Sequence, residues 1–235
     1  MKIDNLVLIA GGLATRLKPV TESIPKSMME VNGKPFISHQ LELLKKRGIK
    51  RVIICAGYLG DQIEIFVKDG KQFGIEIVYS FDSDKLLGTG GAIKKALAKT
   101  ENVFFVMYGD SYLNTDFKNI NEYFLEKNSL GLMTVFRNES KWDKSNIELM
   151  NGKIINYDKK NLNAKMKFID YGLGILNKEA FDDFKDKEVF DLEEVYKNLL
   201  KKDNLEAFEV KDRFYEIGSF TGLDETIKYF TMSND

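Results

Sequence analysis

The sequence predicts an α/β fold: a mostly parallel sheet with helices on both faces, joined to a smaller β-rich second half. Three observations carry this expectation. Short β-branched runs alternate with amphipathic stretches through the first half. Glycine-rich segments follow several of the apolar runs, where a parallel sheet presents its ligand-binding carboxyl ends. In the second half, Asn151-Gly152 separates two strand-like runs.

Leu6 to Ala10 reads as a buried strand, because its residues are continuously apolar. Pro35 to Lys46 reads as a helix, with proline suiting its first turn and Gly48 its C-terminal cap. Arg51 to Ala56 is the next strand, and Asp61 to Lys68 a helix that Asp61 is placed to cap. A strand follows at Ile75 to Tyr79, a helix at Gly91 to Ala98 and a strand at Val103 to Tyr108. Further strands are expected at Leu132 to Phe136, Ile147 to Met150, Lys153 to Asp158 and Phe168 to Leu176. Asn-Gly between the second and third of these is a hairpin signal. Helices are expected at Lys178 to Phe184, Asp191 to Leu200 and Thr221 to Phe230. With no repeat or linker-like tract, the 235 residues suit one domain of two halves, 1–130 and 131–235. The second half is expected to insert into, or abut, the same sheet.

Lys and Arg total 35 against 36 for Asp and Glu, so net charge makes no case for a nucleic-acid or membrane partner. No apolar run approaches a membrane span, and Met1 to Leu6 lacks the long apolar stretch of a signal peptide. The single cysteine, Cys55, cannot form an internal disulfide, and its apolar neighbours mark it as a buried, inert thiol; a cytoplasmic setting is expected.

The richest segment runs from Leu8 through Ala10, Gly11, Gly12 and Arg16 to Pro25-Lys26. A strand entering two glycines lets the backbone approach a ligand closely, and turned N–H groups cradle anionic oxygens. Arg16 supplies a planar fork for phosphate, and Lys26 a movable point charge. Phosphate handling is the expectation.

These residues resemble the signature of the sugar-1-phosphate nucleotidyltransferases, G-G-x-G-T-R-L, then P-x-T, then P-K. The chain carries Gly11-Gly12-Leu13-Ala14-Thr15-Arg16-Leu17, Pro19-Val20-Thr21 and Pro25-Lys26. Among them the pattern is most similar to bacterial heptose- and mannose-1-phosphate guanylyltransferases. The resemblance implies a Rossmann-like core, with 1–130 the nucleotide-binding half and 131–235 the acceptor-binding half. Leu87-Gly88-Thr89-Gly90-Gly91-Ala92 looks like the base-binding segment, and Phe105 to Asp110 like the metal-binding strand end. Asp158-Lys159, Tyr171-Gly172-Leu173-Gly174 and Tyr215-Glu216-Ile217-Gly218 fall where the family meets the phosphorylated substrate and a second metal position. Two departures stand out: Ala14 replaces a usual glycine, and Glu216 a usual aspartate.

The resemblance implies an enzyme of nucleotide-sugar and polysaccharide biosynthesis that uses a nucleoside triphosphate, a phosphorylated small-molecule acceptor and Mg²⁺. Arg16 is expected on the leaving phosphates and Lys26 near the α-phosphate, with Ala10, Gly11, Gly12, Gly88 and Thr89 binding the nucleotide. Lys159 and Gly172 are expected at the acceptor, and Asp110 and Glu216 at the metal. GTP is slightly favoured; UTP, CTP and dTTP stay open. Tyr171 and Leu173 depart from the usual sugar-contact strand, which admits a non-sugar acceptor for a cytidylyl- or uridylyltransferase. A homo-oligomer is also open.

Other readings weigh less. Gly88-Thr89-Gly90-Gly91 lacks the third glycine and tight turn of a dinucleotide fingerprint. Asp82-Ser83-Asp84 has the Asp-x-Asp form of a nucleotide-sugar-dependent glycosyltransferase, but it precedes the glycine loop and reads as a solvated turn. A non-catalytic nucleotide-binding relative remains an alternative. His39 reads as a helix-surface or packing residue, Trp142 as packing in preference to a substrate-side lid, and Lys45-Lys46-Arg47 as a solvated helix end.

Overall fold

The computed structural model describes residues 2–12, 17, 22–82 and 85–232. Strand β1 (Asn5–Ile9) is followed by a short antiparallel pair, β2 (Glu30–Val31) and β3 (Lys34–Pro35), and then by helix α1 (Phe36–Lys46). The alternation continues with β4 (Arg51–Ala56), α2 (Gly60–Val67), β5 (Glu76–Phe81), α3 (Gly88–Ala96), β6 (Val103–Tyr108), β7 (Ser111–Tyr112) and α4 (Phe117–Leu125). The second half holds β8 (Gly131–Arg137), β9 (Ile147–Met150), β10 (Lys153–Tyr157), β11 (Phe168–Asn177), α5 (Leu192–Lys201), β12 (Leu205–Val210), β13 (Tyr215–Glu216) and α6 (Phe220–Met232).

Nine strands form one sheet, in the order β10-β9-β11-β6-β1-β4-β5, with β8 joined to β11 and β12 to β8. Strands β6, β1, β4 and β5 run parallel, whereas β11 pairs antiparallel with β6. The second half therefore extends the first half's sheet through a five-residue register, Leu173↔Met107 to Asn177↔Val103. Alternate side chains of the central strands feed two cores. Leu6, Leu8, Val52, Ile54, Phe105 and Met107 pack with α1, α2 and α4 on one face. Val7, Ile53, Phe104 and Val106 pack with α3 and α5 on the other. Burial on both faces explains why these strands read as continuous apolar runs.

Several local expectations hold. Gly48, at φ +86°, closes α1 with Gly48 N–H on Lys45 C=O and Ile49 N–H on Leu44 C=O. Asn151 and Gly152, at φ +51° and +75°, turn β9 into β10. Cys55 is 1% exposed, and burial pushes its thiol pKa up to about 12. His39 is buried, its Nε2 lying 2.7 Å from the Val31 carbonyl and its ring 4.0 Å from that of Phe230. Trp142 packs beneath the Arg213 guanidinium, 3.3 Å from the ring centroid.

Others need correction. Asp61 does not cap α2: the helix starts at Gly60 after Leu59, so Asp61 lies inside its first turn. Lys178–Phe184 is helical over the expected span, but wound as a 3-10 helix. Arg47 is not a free helix end, because its guanidinium donates to Asn114 Oδ1 at 2.6 Å. Helix α4 and strand β12 were not anticipated.

Candidate active site

The site forms where β1 and β6 end side by side, Ile9 opposite Tyr108. The glycines that follow have separate reasons. A side chain at Gly109 would start 2.7 Å from the Ile9 carbonyl, whereas Gly109 N–H donates to that carbonyl at 2.9 Å. Only glycine lets the β6 turn close onto β1. Gly11 packs tightly against Gly57, while Gly12 faces open space.

Asp110 follows Gly109. Its carboxylate accepts a hydrogen bond from Lys26 Nζ at 2.9 Å and one from Ser111 Oγ at 3.1 Å. Burial works to raise the Asp110 pKa; the charge and hydrogen bond of Lys26, with the Ser111 bond, outweigh it and hold the carboxyl below its ordinary value. Lys26 and Ser27 sit on a 3-10 turn, Lys26–Met28, entered through Pro25. Ser27 is 2% exposed, and its hydroxyl has no hydrogen-bond partner among the described residues. These residues, with Ala10, Gly12, Thr89 and Tyr108, line a cavity of about 140 Å³. A neighbouring cavity of about 130 Å³ is bounded by Gly11, Gly12, Asp82, Leu86, Gly88 and Thr89. Sequence reasoning set Asp82 aside as a solvated turn residue; in the fold its carboxylate accepts the Leu87 N–H at 3.3 Å. Ser83 and Asp84 lie outside the described residues, as do Ala14 and Arg16.

The glycine run of α3 has a packing reason of its own. Gly88 is at φ +72°, and a Cβ there would meet the Phe190 carbonyl at 2.6 Å. Gly90 and Gly91 likewise press on Phe190 and Glu188, and Thr89 Oγ1 accepts the Leu192 N–H at 2.8 Å. The run thus seats α3 against the start of α5 while Gly88 and Thr89 face the cavities.

On the other side of Tyr108 and Asp110 lies a cavity of about 500 Å³, lined by Lys159, Asp170, Gly172 and Glu216 among others. Strand β11 is irregular here: its pairing with β8 shifts between Asp170 and Gly174, and Gly172 is at φ +94°. Lys159 Nζ donates to the Tyr108 hydroxyl at 3.1 Å and lies 3.3 Å from Asp170 Oδ2. Burial opposes the lysine's charge, but Tyr108 and Asp170 more than offset it and raise the pKa. Asp170, with a side chain only 4% exposed, also accepts Tyr157 O–H at 3.0 Å and Gly172 N–H at 3.0 Å. Burial pushes the Tyr108 pKa up to about 12, so its hydroxyl stays neutral. Asp170 and Ser27 were missed from sequence because a lone Asp on a strand and a Ser beside a Lys carry no motif.

Glu216 pairs in register with Ser111, which brings its backbone beside Asp110. Its carboxylate, however, accepts the Gly218 N–H and, at 2.6 Å, the Ser219 hydroxyl at the start of α6. Among the described residues no group of three or more His, Cys, Asp or Glu is arranged to hold a metal ion. Two hard-oxygen residues border the same cavity, Asp110 with its carboxylate and Ser27 with a hydroxyl that has no partner among the described residues, and such donors suit Mg²⁺ completed by phosphate and water. A separate cleft of about 630 Å³ lies beside the amino ends of β1 and β4, where Lys2, Ile3, Gly48 and Ile49 bound it, away from these groups. No helix among the described residues is long and apolar enough to cross a membrane.

Comparison with known proteins identifies the family. A family model described as "Nucleotidyl transferase" matches residues 5–231. The chain is 33% identical to a D-glycero-α-D-manno-heptose 1-phosphate guanylyltransferase of Campylobacter jejuni over 97% of its own length and 99% of the relative's. It is 29% identical to the mannose-1-phosphate guanylyltransferase catalytic subunit beta of Drosophila melanogaster, covering 90% of this chain and 58% of that one. Among solved structures, HddC from Yersinia pseudotuberculosis complexed with GMP-PN superposes with a TM-score of 0.82 at 28% identity, over 97% of this chain and all of that one.

Proposed function

Because the chain belongs to the nucleotidyl transferase family, whose model spans nearly all of it, we propose that it transfers a guanylyl group from GTP to a sugar 1-phosphate of the heptose or mannose type. Pyrophosphate is the second product. The base and the sugar class follow the guanylyltransferases to which the chain is similar along most of its length. The observation that carries the reading is the wall between two cavities. Asp110 and Tyr108 belong to both, with Lys26 on one side and Lys159 on the other.

An oxygen of the acceptor phosphate attacks the α-phosphorus. The new O–P bond forms as the bond to the α,β-bridging oxygen breaks, and pyrophosphate carries away the electron pair. Both reactants are anions, so neutralisation and alignment dominate the barrier. Lys26 neutralises charge near the α-phosphate, and Arg16 takes the leaving phosphates. Lys159, braced by Tyr108 and Asp170, holds the acceptor phosphate. Gly12 keeps the floor beneath the nucleotide clear, and Gly11, Gly88 and Thr89 bound the base and ribose side. Asp110 would hold a Mg²⁺ ion, with Ser27 beside it and Glu216 as second carboxylate once released from Gly218 and Ser219; when bound, the ion supplies Lewis-acid stabilisation to the phosphates. A cytoplasmic setting belongs to the same reading.

Leu173 is buried at 1% and belongs to the core, whereas Tyr171, buried at 2% and packed toward Phe136 and Phe214, also borders the acceptor-side cavity. The deciding experiment incubates GTP, UTP, CTP and dTTP separately with mannose-, heptose- and glucose-1-phosphate and reads pyrophosphate. The expected result is turnover with GTP and one of the first two acceptors at least about tenfold above the rest, as a site built to hydrogen-bond its substrate discriminates. Preferred use of another base overturns the guanylyl assignment.

A further inference from the structure

Gln40 stands on α1, is fully buried, and has no place in the mechanism above. Its Nε2 donates two hydrogen bonds, to the Tyr108 carbonyl at 3.2 Å and the Ser111 carbonyl at 2.8 Å. Those two carbonyls bracket Gly109 and Asp110. Both partners accept only, so the NH₂ end of the amide must face them. The opposite end is left over: Gln40 Oε1 is buried without a partner among the described residues. An aliphatic side chain at this position would fill the same space but deprive the Tyr108 and Ser111 carbonyls of their Gln40 donor, so the amide serves the turn and not packing alone.

The rest of the turn is tied from other directions. Gly109 N–H binds the Ile9 carbonyl, and Ile217 N–H binds the Asp110 carbonyl, each at 2.9 Å. Gln40 therefore fastens the two ends of the turn whose middle carries the Asp110 carboxylate. We infer that Gln40 is the positioning residue for Asp110, gripping the 108–111 turn from α1 so that the carboxylate is preset for a divalent cation. The inference rests on the reading of Asp110 as the metal-holding group. Mg²⁺, for which Mn²⁺ is the spectroscopic probe, demands near-ideal octahedral geometry, so a small displacement of one ligand weakens the ion more than it weakens a phosphate held by several flexible cations.

The test measures Mn²⁺ binding by electron paramagnetic resonance in the presence of a non-hydrolysable GTP analogue, with acceptor KM and melting temperature beside it. Gln40→Met removes both donors without adding a polar group, and Gln40→Glu keeps the shape but turns acceptors onto two carbonyls. Gln40→Met is expected to weaken Mn²⁺ about tenfold, the scale on which groups that orient metal ligands act, while acceptor KM changes less than about twofold. Gln40→Glu should weaken it further. Asp110→Asn is the control and should abolish Mn²⁺ binding. If Asp110→Asn does so and Gln40→Met binds Mn²⁺ as tightly as the parent, the role of Gln40 is overturned and the reading of Asp110 stands. If Asp110→Asn binds Mn²⁺ normally, both fall.

Discussion

The 2.9 Å bond from Lys26 to Asp110 joins residues 84 positions apart. Each was legible as a candidate site residue from its local setting, lysine after Pro25 and aspartate after an apolar strand. Their contact was not legible, because it depends on β1 lying next to β6. The same holds for Lys159, whose partner Asp170 sits on a strand with no local mark of function. Truncating Lys159 removes the cation on the acceptor side only. Lys159→Ala is expected to raise acceptor KM by about tenfold or more, in line with losing a charge-assisted contact, and to leave triphosphate affinity within about twofold. Calorimetric titration of nucleotide separates the two; collapse of nucleotide binding would place Lys159 in the other cavity. Glu216 offers a sharper contrast. Asp110→Asn should abolish turnover. Glu216→Gln retains an oxygen that Gly218 and Ser219 can use, so the start of α6 survives while any charge felt by the metal is lost. A normal rate with unchanged Mg²⁺ dependence in Glu216→Gln would make this residue a helix-start fastening and nothing more.

At the scale of elements, the strands and helices with strong apolar periodicity were legible to within a few residues, and Arg51–Ala56, Val103–Tyr108 and Ile147–Met150 match at both ends. Strand β12 was hidden because Glu206 and Glu209 interrupt its apolar pattern, as befits an edge strand that pairs on one side with β8. Helix α4 is capped by Asp116, whose side chain accepts from Lys118 and Asn119 N–H, but its nine residues give the period little length to declare itself. The α3 glycines illustrate a different limit. Read along the chain they suggest ligand contact alone, whereas their tightest neighbours are protein backbone and the Phe190 ring. Gly88→Ala must adopt φ +72° and push a methyl into the Phe190 carbonyl. It is expected to destabilise the fold by about 2 kcal/mol or more, about 1–2 of it from the left-handed backbone alone, and to raise nucleotide KM. Thermal unfolding checks the first part and initial rates the second; a variant as stable as its parent contradicts the seam between α3 and α5.

For the whole molecule, the decisive fact is that the residues proposed for the acceptor hang from the same sheet as those proposed for the nucleotide. Strand β11 pairs with β6 over five positions and with β8 beyond it, so neither half buries its strands alone. Unfolding should be a single transition. The protein carries its own local probe, because its single tryptophan, Trp142, lies in the second half under the Arg213 guanidinium. Tryptophan fluorescence and far-ultraviolet circular dichroism are expected to give the same urea midpoint. Two separated midpoints would mean that the halves melt independently. This continuity was only half legible: the sequence showed strands in the second half, but the partner of each depends on long-range register that no local pattern encodes.

Cys55, 1% exposed with its thiol pKa pushed up to about 12, has a practical corollary. Burial both keeps a reagent from the sulfur and holds it as the unreactive thiol. The parent chain is thus silent toward maleimides without any prior cysteine removal. A thiol engineered at the rim of either cavity would be labelled alone, giving a fluorophore or spin label at one chosen address from which substrate arrival can be timed.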